Sequence, residues 1–372
     1  MLKIGITGQS GFIGTHFYNY LGIRSEEIIR IPFQDHFFDD HSKLENFVKN
    51  CDVIVHLAAL NRHNEPKVIY DTNIDLIYKL ISSLESTGSR PHILFSSSTH
   101  EERGTAFGSS KREGRELLAQ WSEKSGSIFT GLVIPNVFGP FGNPYYNSVI
   151  ATFSHQLTHN EIPKIDFDGQ LKLIYVDDLV KVIYDCIMNK VSEKEFKVPY
   201  TDEIKVSEIL KLLKNYKSLY FEKGIFPDLS DTFAKNLFNT FICYMDLGHF
   251  FPVKLRQSKD ERGSFVETIK LNSGGQVSFS TTRPGVTRGN HFHTRKAERF
   301  AVIKGKAIIQ LRRIGTGKVL NYELDGQEPA YVDMPVWHTH NITNVGNDDL
   351  YTFFWINEHF NPDDPDSFYE MV

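Results

Sequence analysis

The stretch that most constrains this chain is Gly285 to Asn344, where histidine and glycine positions are fixed within runs that read as strand. After Gly285 come five residues, then His291-Phe292-His293, four residues, Glu298, six residues and Gly305. Further on stands Pro335-x-Trp337-x-x-His340-x-x-x-Asn344. Arg299–Ile303, Ala307–Leu311 and Tyr351–Ile356 are β-branched and aromatic runs cut by glycine and polar turns, the pattern of strands. On a strand, His291 and His293 are two apart and share a face. Glu298 and His340 reach that face only if the strands curl into a barrel. Three imidazoles and a carboxylate pointing inward make a site for one divalent transition metal; geometry alone admits zinc, manganese, iron or nickel.

This spacing resembles both signature motifs of the cupin family, with Trp337 where glycine usually follows Pro-x. A lone histidine in a β domain is ordinarily structural, but three with a glutamate at both spacings are not. Two overlapping stretches, Asp260-Glu261-Arg262-Gly263-Ser264-Phe265-Val266-Glu267 and Gly285-Val286-Thr287-Arg288-Gly289-Asn290-His291, resemble the cupin-fold epimerases that invert carbons of 4-keto nucleotide sugars. That resemblance implies that Arg262, Phe265 and Arg288 hold a nucleotide sugar. In those metal-free enzymes the residue matching His291 is a general base. A metallated nitrogen has no lone pair for a proton, so His291 is expected to be a ligand, and His293 stands where the metal-free enzymes carry glutamine. The base is then sought among His338, Tyr331 and Lys304.

The chain has 372 residues, too many for one compact core, so two domains are expected, 1–248 and 249–372. A net charge of −5 argues against a nucleic-acid partner. No apolar run is long enough to span a bilayer and no secretory leader is apparent, so a cytoplasmic location is expected. Cys51, Cys186 and Cys243 are too far apart for a zinc spacing or a disulfide framework.

The N-terminal part alternates strands and helices, the mark of a doubly wound parallel sheet with ligands at the carboxyl ends of its strands. Leu2–Ile6 reads as a buried strand running into Thr7-Gly8-Gln9-Ser10-Gly11-Phe12-Ile13-Gly14. Glycines there allow a tight turn and close approach of backbone to a pyrophosphate, while the helix that follows offers free N–H groups. Asp52–Ala59 and Ile93–Phe95 are further central strands, Val68–Leu84 a long helix, and Val206–Tyr216 an amphipathic one. Leu57 and Ala58 end their strand where a cofactor would lie against backbone. Leu247 to Gly263 reads as a linker. Arg30, the one charge in the strand Ile28–Ile31, points to the 2′-phosphate of NADPH, against the plainer reading of a solvated strand end.

Thr7–Gly14, Asp52–Ala59, a serine-rich turn at Ser96–Ser98, the helix carrying Lys111 and Pro135–Pro140 together resemble the extended short-chain dehydrogenase/reductase family. The resemblance implies that Ser98 binds a carbonyl oxygen and that Lys111 holds the nicotinamide ribose and tunes a tyrosine. The tyrosine position holds Phe107, which has no proton to give. Asn136 and Asn147 are expected to touch substrate.

Taken with Trp355-Ile356-Asn357-Glu358 and Asn361-Pro362, the order of the two halves resembles the bifunctional enzymes of bacterial capsular polysaccharide synthesis over essentially the whole chain. That family implies a zinc-bearing cupin that epimerises C3 of a UDP-linked 4-keto-6-deoxy-N-acetylhexosamine. It further implies a Rossmann-type domain that reduces C4 with NADPH, in a homodimer. Two other readings compete: an epimerase whose N-terminal domain binds nucleotide without chemistry, and a sugar-sensing protein with a structural metal.

Overall fold

The computed structural model describes all residues from Met1 to Val372. The chain forms two compact units, one of Met1–Val149 with Gly169–Lys205, the other of Ile150–Asp168 with Val206–Val372.

In the first unit, β1 (Leu2–Thr7), β2 (Ile28–Ile31), β3 (Val53–His56), β4 (His92–Ser98) and β5 (Phe129–Ile134) are parallel. A small sheet holds β6 (Asn136–Phe138), β7 (Gln170–Tyr175) and β9 (Asp202–Lys205), while β8 (Glu193–Lys197) closes the main sheet in the order β2-β1-β3-β4-β5-β8. Alternate residues of each central strand enter two separate cores. Ile4, Ile6, Val53, Val55 and Leu94 pack on one face, and Ile54, Ile93 and Phe95 on the other. Burial on both faces is why these strands read as unbroken apolar runs. The helices α1 (Phe12–Gly22), α2 (His41–Lys49), α3 (Pro66–Thr87) and α4 (Ala106–Ser125) cover the sheet. Strand order reverses around β1, between β2 and β3, so the crevice at the carboxyl ends of β1 and β3 is where a ligand is received.

The second unit is dominated by two antiparallel five-stranded sheets. One orders β11 (Val253–Lys254), β20 (Ala330–Met334), β17 (Glu298–Lys304), β22 (Leu350–Ile356) and β15 (Gln276–Thr282). The other orders β19 (Val319–Asp325), β18 (Lys306–Arg313), β21 (His338–Asn344), β16 (Thr287–Phe292) and β23 (Phe368–Tyr369). The short strands β10 (Ile225–Phe226) and β14 (Lys270–Leu271) pair with each other, as do β12 (Gln257–Asp260) and β13 (Gly263–Val266). This β-rich, jelly-roll arrangement is that of a cupin.

The stretch read as a linker is folded instead: Leu247–Phe250 is a helical turn, Val253–Lys254 joins the barrel, and Gln257–Val266 is a hairpin. Its Pro, Gly and charge density marks turns between very short strands. Residues 206–248, expected with the N-terminal domain, lie in the same unit as the barrel. Phe226, for example, packs its ring 4.1 Å from that of Trp355.

Candidate active sites

Backbone geometry assembles the barrel centre. A register shift between Gly289 and His291 inserts an extra residue in β16, and His291 then pairs directly with His340 on β21. Such a bulge re-aims the side chains that follow it. Glu298 opens β17, and Phe300 two residues on presents its ring edgewise to His340 at 5.5 Å. His291, His293, Glu298 and His340 each direct one donor atom into a common point, all within 4.8 Å of one another. His293 Nε2 and His340 Nε2 lie 3.2 and 3.0 Å from the same Glu298 oxygen. These three atoms are buried, and their approach lacks hydrogen-bond geometry, so each is left without a hydrogen-bond partner. Converging buried donors with no partner are what a cation would satisfy, and the residues present fit a divalent metal.

The opposite ring nitrogens are already committed. His293 Nδ1 donates to the carbonyl of Asp366, and His340 Nδ1 to that of His338 at 3.2 Å, which leaves Nε2 of each as the lone-pair donor. Burial alone would raise the Glu298 carboxyl, but His293 and His340 beside it hold it below the usual carboxylate range. Burial and the neighbouring His340 push the His291 imidazole down to about 4, so it is neutral and able to ligate.

The structure places the remaining barrel residues unequally. His338, two residues before His340 on β21, is buried, and its Nδ1 donates to the carbonyl of Val336 at 2.9 Å. Burial and nearby Arg313 push its ring down to about 4. Tyr331 lies on the outer side of its sheet, its ring 3.6 Å under the Arg299 guanidinium, which in turn is paired with Asp333. Lys304 follows an irregularity in β17 and rests over the Tyr351 ring. Arg288 donates to Thr282 Oγ1 and to the carbonyl of Thr281. Arg262 is exposed and paired with Asp260 at the turn of the β12–β13 hairpin, and Phe265 in that hairpin is 68% exposed. These last residues are not drawn in around the four ligands.

In the first unit a cleft of about 830 Å³ opens at the carboxyl ends of the strands. It is lined by Gly8, Gly11, Phe12, Ile13, Gly14, Leu57, Ala58, Ser98, Phe107, Lys111 and Asn147, as the sequence leads one to expect. Gly8 is left-handed (φ 69°) and packs so tightly that a Cβ would meet Ala58 N at 2.7 Å. A Cβ on Gly11 would meet only the carbonyl of Gly8, at 3.2 Å, and Gly11 caps α1 with no side-chain bond to its N–H groups. Bare backbone and an uncapped helix start facing a cleft form a cradle for phosphates.

Lys111, one turn into α4 from Phe107, is buried with its Nζ 3.4 Å from Ser96 Oγ, 5.0 Å from the Phe95 ring and 5.7 Å from the Phe107 ring. Burial pushes its ammonium down to about 7, against the pull of Glu101. Glu101 is fixed by two bonds from Arg115 at 2.9 and 2.8 Å and by Ser97. Ser98 Oγ accepts from His100 N–H at 3.2 Å.

Two expected residues lie elsewhere. Asn136 turns away and donates to the carbonyl of Lys172 at 3.1 Å. Arg30 does not line the cleft: its Nη1 donates to the carbonyl of Tyr18 and its guanidinium stacks 4.2 Å over the Tyr18 ring on α1. Asp35, in the turn beyond β2, and Lys79, on α3, also line the cleft and stand in no motif that marks them in the sequence.

A phosphate cradle at the switch point of a parallel sheet, coupled to a cupin, defines a nucleotide-sugar class of protein. The chain belongs to the NAD dependent epimerase/dehydratase family, which it matches over residues 4–198, and residues 258–368 match the polysaccharide biosynthesis C-terminal domain. It is 32% identical to the UDP-2-acetamido-2,6-beta-L-arabino-hexul-4-ose reductase of Pseudomonas aeruginosa, over 99% of this chain and 98% of that one. Among solved structures it resembles the capsular polysaccharide assembling protein CapF from Staphylococcus aureus, at 33% identity and TM-score 0.63, covering all of both chains. It shares the fold of a UDP-glucose 4-epimerase from Thermotoga maritima at 22% identity and TM-score 0.52, over 58% of this chain and 83% of that one. This is a nucleotide-sugar enzyme, and no helix is long and apolar enough to cross a membrane.

Proposed function

We propose that this chain carries out two steps on one sugar, a UDP-linked 4-keto-6-deoxy-N-acetylhexosamine: epimerisation at C3 in the barrel, then reduction of C4 in the N-terminal unit. The observation that carries this reading is the convergence of His291, His293, Glu298 and His340 on one point, with buried donor atoms that lack other partners. The Pseudomonas relative, a hexul-4-ose reductase by name, supports the choice of a 4-keto sugar.

His291, His293, Glu298 and His340 would hold a divalent cation, zinc being the first to test, and such an ion would supply Lewis acidity toward the sugar C4 carbonyl. The C4 ketone acidifies the C3 hydrogen, so the C3–H bond breaks by loss of a proton and the electron pair is delocalised onto O4. Return of a proton to the opposite face inverts the centre with no net redox change. Of the three bases considered, His338 shares a strand face with His340, whereas Tyr331 lies beyond the sheet and Lys304 rests on Tyr351. His338 is therefore the base assigned to C3, its ring held through Nδ1–H by the Val336 carbonyl.

In the first unit, the glycine loop and the start of α1 would hold a reduced nicotinamide dinucleotide, which would supply the hydride for C4 and be oxidised in turn. The oxygen that gains the electron pair needs a proton, and Ser98 and Lys111 are the groups of the cleft wall able to donate it. A Lys111 ammonium with its pKa near 7 gives up a proton far more readily than an ordinary lysine.

A second reading, epimerisation without reduction, is favoured by Phe107 in the place of the proton-donating tyrosine. One experiment separates the two: incubation with the UDP-4-keto sugar in deuterated water, with and without reduced dinucleotide, read by mass and NMR. Deuterium at C3 without dinucleotide, and dinucleotide oxidation when it is added, is the result expected. Absence of deuterium at C3 under both conditions would remove the epimerase.

A further inference from the structure

A second cavity, of about 510 Å³, lies in the second unit on the reverse of the sheet that supplies Glu298. Arg299 follows Glu298 on β17, and neighbouring residues of a strand point to opposite faces. Arg299 and Tyr331 therefore line this cavity, while Glu298 faces the other three ligands. The floor is fixed by packing. Arg299 is buried between the Phe226 and Tyr331 rings, 4.6 and 3.6 Å from their centres, and is paired at two points with Asp333. Its Nη1 donates to the carbonyl of Gly224 at 2.9 Å. Gly224 is left-handed (φ 67°), and a Cβ there would meet the Tyr331 hydroxyl at 2.8 Å, so glycine lets the backbone close this side.

The rest of the lining is of two kinds. Phe221 and Phe250 are half-buried and stacked, their centroids 4.9 Å apart and their planes at 22°, and they form an apolar wall. Lys223, Lys254, Arg256 and Lys270 supply charge, against Glu222 and Glu267. Lys254 is paired with Glu328 and Lys270 with Glu267, each at 2.6 Å. Lys223 and Arg256 are exposed and enter no ion pair. Since Asp333 already neutralises Arg299, the cavity offers a ligand two uncommitted cations beside aromatic rings. A flat ring that carries an anion uses both, by stacking and by charge-assisted bonds.

We propose that this cavity is a second nucleotide site, which takes a nucleoside diphosphate with its base against Phe221 and Phe250 and its phosphates on Lys223 and Arg256. A bare phosphate would leave the rings unused, and an uncharged ring would leave the cations unused. The site stands on these side chains whatever the barrel catalyses; only the choice of UDP as the probe rests on the UDP-sugar reading.

The test is acetylation of the full chain by acetic anhydride, read by mass at Lys223, with UDP, uridine or inorganic pyrophosphate added. UDP is expected to protect Lys223 at concentrations about tenfold or more below those needed with either of the others, because it alone engages rings and cations together. Arg256→Ala, at an exposed position, should weaken protection by UDP and by pyrophosphate about tenfold. Phe221→Leu should weaken UDP and leave pyrophosphate as it was. Pyrophosphate as effective as UDP overturns the nucleoside assignment. No protection by UDP at about 10 mM, or protection unaltered in Arg256→Ala, overturns the site itself. The readout is local to Lys223, so failure of C3 exchange in the barrel leaves it unchanged, and its own failure leaves the barrel reading standing.

Discussion

His293 and Asp366 are joined by a hydrogen bond from the ring Nδ1 to a main-chain carbonyl 73 residues further along the chain. The Asp366 carboxylate completes the tie by accepting from the N–H groups of Thr294, Arg295 and Lys296 and from the Thr294 hydroxyl. The residues just after His293 are therefore moulded around one buried aspartate, which holds the imidazole with Nε2 toward the other ligands. Asp366→Ala removes no ligand, yet it frees this loop. Metal affinity, measured by competition with a chromogenic chelator, is expected to fall about 10- to 100-fold, as when the outer contacts that orient a ligating histidine are loosened, although the carbonyl that receives Nδ1–H remains. Affinity equal to wild type would mean that the strand alone positions His293.

His338 is separable from the metal ligands by experiment. His338→Gln keeps a donor for the Val336 carbonyl and removes the ring nitrogen that takes the proton. Metal content is expected to stay at the wild-type level, while exchange of the C3 hydrogen with solvent falls by about 100-fold or more. Unchanged exchange with unchanged metal would assign the base elsewhere.

Lys111 makes stability depend on pH. Its folded pKa lies near 7, set by burial, against 10.5 for an ordinary lysine. Between those values the unfolded chain binds one proton more than the folded one, so stability rises with pH across that window. It is lowest below about pH 7, where the buried ammonium must remain charged. The full span is at most roughly 5 kcal/mol, at 1.4 kcal/mol for each pH unit. Lys111→Met should be more stable than wild type at pH 6, and the difference should shrink toward pH 10 in denaturant titrations of the dinucleotide-free protein. A difference independent of pH would show that the lysine is not buried as a charge.

Much of this was legible in the chain, for reasons that differ by residue. The convergence of His291, His293, Glu298 and His340 was readable because strand alternation fixes which face His291 and His293 share, and Glu298 and His340 join them when a barrel closes. Trp337 was legible as a departure but not in its consequence. It keeps the left-handed backbone that a glycine position demands (φ 59°), and its buried ring stacks on Phe292 at 5.6 Å. Packing thus outweighs a conformational strain of about 1–3 kcal/mol. Arg30 was misplaced because it flanks β1 on a strand with exposed positions, where charge alone does not say which side of the sheet it serves. Asp366 was missed because it acts through its backbone carbonyl and a loop 70 residues away, a relation with no sequence period.

Phe107 poses the sharpest question, since a ketone that accepts hydride must also acquire a proton. The ring lines the cleft in the first turn of α4, and Lys111 Nζ stands 5.7 Å from its centre. A hydroxyl added to that ring would sit in the same cleft as the ammonium and act as an acid tuned by it. Without it, Ser98 and Lys111 remain as donors, and loss of a dedicated general acid typically costs about 100- to 10,000-fold while hydride positioning survives. Wild type is therefore expected to oxidise dinucleotide slowly but measurably in a single turnover with the epimerised sugar. Phe107→Tyr should raise that rate by about 10-fold or more, and Lys111→Ala should abolish it. No oxidation above background in wild type, with recovery in Phe107→Tyr, would assign the chain to epimerisation alone and leave its dinucleotide cleft as a binding site without chemistry.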